Sequence, residues 1–151
     1  MKPPESDEMR DFFQRDAVGR YLGAELLTLG PGFATVVMEV QSTHLNAYGT
    51  VHGGVIFALA DIAFGLAGNS EGIPAVAINV TISFMKSIRT GALYAEAKEY
   101  SSHPKLASYQ VKVTDQKGEQ IALFHGMAYR KNRSPERPQE TNTNDLRSSF
   151  R

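Results

Sequence analysis

The chain contains no cysteine, which removes disulfide frameworks, thiolate metal sites and cysteine nucleophiles in one step. It also has no excess of either charge, since 16 Lys and Arg residues stand against 16 Asp and Glu. That balance gives no electrostatic ground for nucleic acid or an anionic membrane as a partner. The longest apolar run, Gly54 to Gly68, is broken by Asp61 and falls short of the ~20 residues that a bilayer span needs. Met1 to Asp11 is polar and carries Pro3, Pro4 and four acids, the opposite of a secretory signal, so a cytoplasmic protein is expected. The G-x-S-x-G elbow of a serine hydrolase is missing. The four histidines, His44, His52, His103 and His125, have no mutual spacing that would gather a metal with carboxylates, so no metal is expected.

What is present fits one domain with one core in 151 residues. Ser6 or Asp7 can cap a short helix with Met9, Phe12, Phe13 and Val18 at helical spacing, ending near Gly19 or Gly23. Two Leu-, Val- and Thr-rich runs, Ala24 to Leu29 and Phe33 to Val40, flank Gly30-Pro31-Gly32 and predict a hairpin. His52 to Asn69 is the one long helical pattern, apolar almost all round, with Gly72 and Pro74 as its stop. Four strands should follow: Ala75 to Met85, Ala92 to Ser101, Leu106 to Thr114 and Gln120 to Arg130. In the first of these Val76, Ile78, Val80, Ile82 and Phe84 alternate with Ala77, Asn79, Thr81 and Ser83, which predicts one apolar face. No α/β alternation suggests a parallel sheet, so the expected class is α+β, an antiparallel sheet of about six strands curled round one helix. The domain should occupy residues 1–131. Residues 132–151 fall to Asn, Ser, Thr, Pro, Arg and Glu and read as a disordered polar tail.

The chemistry concentrates between His44 and Asn69. Gly53-Gly54 opens the long helix without side chains, which aims bare N–H groups and the positive end of the helix dipole at whatever lies in front. A flexible helix entry is the plainer reading of such a pair; an oxyanion hole is the functional one. Asp61 has Phe57, Ala58, Phe64 and Gly65 as helical neighbours, so its carboxylate should be buried on an apolar surface at a cost of several kcal/mol. A capping or interface carboxylate would answer that cost; so would a base or nucleophile with a raised pKa, the reading preferred here. Asn46 offers either an Asx turn or one more N–H donor. Gly53 and Asp61 stand eight positions apart, or ~12 Å along a helix, too far to share one carbonyl. Two copies of the helix, antiparallel across a two-fold axis, would pair Gly53 of one with Asp61 of the other.

The run H-x-N-x-x-G-x-x-H-G-G-x-x-F-x-L-A-D from His44 to Asp61, followed by Ala63-Phe64 and Ala67 to Asn69, resembles the hotdog-fold acyl-CoA thioesterases of the PaaI-type, phenylacetate-degradation group. The order of elements matches from Asp7 to about Lys131. The resemblance implies that Asp61 is nucleophile or general base, that the Gly53 N–H polarises the thioester carbonyl with Asn46 assisting, and that His52 shapes the site beside the thiol. It also implies a homotetramer of dimers with the site at the dimer interface, and no cofactor, coenzyme A being part of the substrate. A hydroxyl residue that positions water in some relatives is replaced here by Ala77, leaving Asn79 or Thr81 to substitute. Gly54, Phe57, Phe64 and Gly65 are expected to line an acyl pocket suited to an aryl or medium-chain group. Lys86 and Arg89, with Lys105, are candidates for the phosphates of CoA. A hydratase or dehydratase of the same fold and a non-catalytic acyl-CoA-binding module are the alternatives.

Overall fold

The computed structural model describes residues 6–131, so the expected tail from Asn132 onward lies outside the described residues. The expected single N-terminal helix is two helices, α1 (Ser6–Gln14) and α2 (Ala17–Leu22). Asp16 is the reason: its backbone is extended and its carboxylate accepts from the Gly19 N–H at 3.0 Å, which starts a new helix. Gly23, at φ 70°, ends α2 in the left-handed conformation that glycine adopts without strain.

Strands β1 (Glu25–Gly30) and β2 (Phe33–Glu39) form the expected hairpin. A single 3₁₀ turn (Ser42–His44) and a loop then lead into α3 (Gly53–Asn69). Strands β3 (Ala75–Phe84), β4 (Ala92–Ser102), β5 (Leu106–Asp115) and β6 (Gln120–Arg130) complete one antiparallel sheet in the order β1-β2-β4-β5-β6-β3. The sheet carries α3 on one face. Its inner surface is rich in alanine, with Ala34, Ala95, Ala97, Ala107, Ala122 and Ala128 all buried, so the helix can sit close. The large groups come from the helix: Ile56, Leu59, Phe64 and Leu66 fill the core with Met38, Leu93, Tyr109 and Phe124. Phe64 lies edge-on to Tyr109 and tilted against Phe124, in space left by Gly126, where a Cβ would stand 2.8 Å from its ring. Phe64 is thus a core side chain, 3% exposed, and the expectation that it lines a ligand pocket is corrected.

A second correction concerns β3. Its pairing with β6 shifts between Ala77 and Asn79, leaving Ile78 as a bulge. After the bulge Val80, Ile82 and Phe84 stand opposite Gly126, Phe124 and Ala122 on the helix side. Before it, the residues on that side are Ala75 and Ala77, opposite Arg130 and Ala128. Val76 therefore leaves the expected apolar face and points outward with Tyr129, while Ile78 is left 55% exposed. Asn79 and Thr81 likewise share the outer face with Met127 and His125. β3 is an edge strand with one side unpaired. No helix of the described residues is long and apolar enough to cross a membrane.

Candidate active site

The helix start is more selective than a bare Gly-Gly pair. His52 is the N-cap: its Nδ1 accepts from the Gly54 N–H at 2.8 Å, and its carbonyl accepts from Val55 and Ile56 at 2.9 and 3.2 Å. Gly54 is thereby corrected from free donor to capped one. The Gly53 N–H alone has no acceptor among the described residues. It is the first N–H of the helix, where the positive end of the dipole acts most strongly. The helix start and β3 approach closely there, since a Cβ on Gly53 would stand 3.2 Å from the ring of Phe84.

Asn46 organises the loop that enters the helix. Its Oδ1 accepts from the backbone of Tyr48 and Thr50, and its Nδ2 donates to Thr50 Oγ1 at 3.0 Å. The Asx-turn reading of Asn46 holds, and the second Nδ2 hydrogen remains for a ligand. Asn46, Thr50, Val51, Gly53, Phe84 and Lys86 enclose a cleft of about 280 Å³ at the helix start. Through Thr50, Lys86 and Ser87 it continues into a wider one of about 580 Å³ that adds Arg89, Asp115, Lys117 and Glu119. The structure thus brings Gly53, Asn46, Lys86 and Arg89 to one continuous surface. Lys105 is elsewhere, over the ring of Tyr129.

Asp61 does not line either cleft. It sits on the one face of α3 that the sheet leaves uncovered, with Gly54 exposed and Phe57, Ala58 and Gly65 half-buried beside it. The expectation of a carboxylate buried on an apolar surface does not hold within the single chain: Asp61 is exposed there, because the apolar residues flanking it on the sequence face inward. Its pKa is nevertheless raised, first by the protein that crowds the carboxyl and then by the negative charge of Asp16 on the neighbouring α2. Asn79 and Thr81, on the outer sheet face, are brought neither to Gly53 nor to Asp61. Among the described residues no group of three or more His, Asp or Glu side chains could hold a metal.

Four contributors had no signal strong enough to single them out in the sequence. Asp16 was hidden inside what reads as one helix. Phe84 reads as a strand residue, and Lys117 and Glu119 as members of an ordinary Asp-Gln-Lys-Gly turn.

Residues 48–122 match the model of the thioesterase superfamily. Acyl-coenzyme A thioesterase PaaI of Escherichia coli K12 is 35% identical over 119 residues, covering 78% of this chain and 85% of its own. The structure of E. coli PaaI, from the phenylacetic acid degradation operon, superposes with a TM-score of 0.80 over 83% of this chain and 92% of that one, at 32% identity. A mutant phenylacetic acid degradation protein PaaI from Thermus thermophilus gives a TM-score of 0.74 at 38% identity, over 77% of this chain and all of its own. A thioesterase from Streptococcus pneumoniae holding coenzyme A gives 0.76 at 25% identity, over 83% and 98%. With the six-stranded sheet, the single long helix and the glycine start described above, these likenesses fix the assignment: the chain belongs to the thioesterase superfamily, in its hotdog-fold, PaaI-type branch of thioester hydrolases.

Proposed function

We propose that the protein hydrolyses the thioester of an aryl- or medium-chain acyl-CoA, of the phenylacetyl-CoA kind, to the free acid and CoA. The observation that carries this reading is the uncommitted Gly53 N–H at the mouth of a cleft that runs on past Lys86 and Arg89. A thioester carbonyl placed at Gly53 gains a hydrogen bond that strengthens as negative charge develops on its oxygen, while the cations suit the phosphates of the carrier. The name of the E. coli relative and the coenzyme A in the S. pneumoniae structure support that carrier. A CoA-linked substrate supports the expected cytoplasmic setting.

Asp61 supplies the other half of the reaction from a second copy of the chain. The uncovered face of α3 and the unpaired edge of β3, with Val76 43% and Ile78 55% exposed, support a dimer that covers both. Exposed Leu106, Met127 and Tyr129 on the outer sheet face give a second surface on which two dimers can form a tetramer. In one course the carboxylate takes a proton from water and the resulting hydroxide adds to the carbonyl. The oxyanion then collapses, expelling the CoA thiolate, which recovers the proton. In the other, a carboxylate oxygen attacks, CoA thiolate leaves, and water hydrolyses the mixed anhydride. Both consume one water and need neither metal nor cofactor. Phe57 and Gly65 stand one helical turn either side of Asp61 and, with Gly54 beside the open Gly53 N–H of the other copy, would meet the acyl group.

The test is release of free thiol from a panel of aryl and straight-chain acyl-CoAs. One thiol per thioester consumed, fastest for aryl or medium-chain groups, is expected. Absence of thiol release from every member would overturn the reading, and full activity in a protein that is monomeric at assay concentration would overturn the shared site.

A further inference from the structure

The wider cleft contains an ion pair that a phosphate-bearing ligand would have to disturb. Lys86, which lines both clefts, is paired with Glu119. Glu119 is fixed by its backbone, not its side chain: Asp115 Oδ1 accepts from the N–H of Lys117 and of Glu119, each at 2.9 Å, and Gly118 at φ 82° closes the turn. Asp115 Oδ1 is thus committed to its own turn, and Glu119 is the acid of the cleft that is paired with one of its cations. Arg89, which lines the same cleft, donates to the Tyr48 carbonyl at 3.4 Å. Lys117 has no carboxylate partner among the described residues.

Lys86, Arg89 and Lys117 in one cleft would repel each other when no ligand is present, and an acid paired with Lys86 relieves part of that repulsion. The same acid opposes an incoming phosphate. Resting on the acyl-CoA reading above, we infer that Glu119 is a specificity-determining counter-charge: it occupies Lys86 in the free protein and yields it only to a carrier bearing several phosphates. Lys86 then serves the ligand at the boundary between the clefts, and Glu119 sets how strongly binding depends on the phosphate end. Both side chains are about half exposed, so the exchange is shallow and rapid.

Kinetics with phenylacetyl-CoA and with S-phenylacetyl-pantetheine, which carries no phosphate, test this. For Glu119→Gln the KM for the CoA ester should fall about two- to fivefold, the range an exposed ion pair supports, with kcat unchanged. The KM for the pantetheine ester should not move. Lys86→Gln should raise the KM for the CoA ester more than that for the pantetheine ester, and adding Glu119→Gln to it should bring a smaller further change in the CoA ester's KM than in the parent. Gln at 119 leaves the turn intact, since the turn uses only that residue's N–H. An unchanged KM for the CoA ester in Glu119→Gln, or an equal fall for both esters, overturns the inference while leaving the thioesterase reading standing. If neither ester is hydrolysed by the parent, that reading fails instead. Calorimetric binding of adenosine 3′,5′-bisphosphate then decides the counter-charge by itself: tighter binding to Glu119→Gln upholds it, and equal binding or none to either protein overturns it.

Discussion

The two ends of α3 are built on opposite plans. At the C-terminal end the side chains of Asn69 and Ser70 are both tied down. Asn69 donates to the Gly65 carbonyl and exchanges hydrogen bonds with Ala75, and Ser70 Oγ donates to Ala67 while accepting from the Gly32 N–H. Just beyond, Arg130 binds Glu99, Ser102 and the His103 carbonyl, and Tyr109 donates to Glu99. At the N-terminal end the Gly54 N–H is capped and the Gly53 N–H is left open beside a cleft. One end anchors the helix so that the other can offer an unsatisfied donor at a fixed place. An unmet donor has use only if the backbone carrying it does not move.

The comparison can be broken from the open side first. Asp61→Asn should lower turnover about 10²- to 10⁴-fold, the span of a lost general base, while acyl-CoA binding persists. The raised pKa of Asp61 means that the folded chain holds this proton more tightly than the unfolded one, so ionising it costs stability. That cost is absent below the ordinary carboxylate range and grows as pH rises through the raised value. The variant should therefore melt no lower than the parent at neutral pH, and a lowered Tm there would contradict the assignment of the shift.

Gly53→Pro removes the open N–H itself. Proline is tolerated at the first position of a helix, and His52 already has the extended backbone (φ −61°, ψ 134°) that a following proline requires. The exposed ring of Phe84 can give way to the added Cβ. Steady-state kinetics should show kcat down about 10²- to 10³-fold with helical circular dichroism kept. Mixed with Asp61→Asn subunits, it should regain activity, because each heterodimer restores one complete site. Verified heterodimers without activity would rule out the split.

On the closed side, Asn69→Ala should cost about 1–3 kcal/mol by denaturant titration, since partly buried backbone groups of Gly65 and Ala75 lose their partner. Its kcat should be nearly that of the parent. A large loss of kcat at unchanged stability would erase the distinction between the two ends. The smallest effect belongs to Asp16→Ser, which keeps the cap of α2 and deletes the charge. With one cause of the raised Asp61 pKa gone, Asp61 stays ionised to lower pH, so the acid limb of kcat/KM should move to lower pH. A limb that stays in place would mean that Asp16 acts only as a cap.

Periodicity and turn residues placed nearly every element within a residue or two, because the strand alternation and the Gly and Pro stops are local signals. Three things were not local. The bulge at Ile78 turns over the face of β3, yet the alternation runs through it unbroken in the sequence. The break before α2 depends on a single side-chain hydrogen bond at Asp16. The exposure of Asp61 depends on which side of an almost wholly apolar helix the sheet covers, and an apolar stripe does not say whether its own chain or a second copy will cover it. The Gly53 start and Asn46 were legible because glycine before a helix and Asn in a loop have few uses. Glu119 was not, because an acid in a polar turn is ordinary until its neighbour across the sheet is known.

The position of β3 at the far edge of the sheet bears on the order in which the molecule is made. Strands β4, β5 and β6 pair with their neighbours in sequence and can zip together as successive hairpins. β3 precedes them in the chain and pairs only with the last of them, so its docking closes a long loop and is slow by comparison. Phe84 and Lys86 arrive at Gly53 with that closure. Substrate therefore meets that closed pairing or no site at all, and whatever binds in the cleft holds together parts of the chain that only this closure brings side by side.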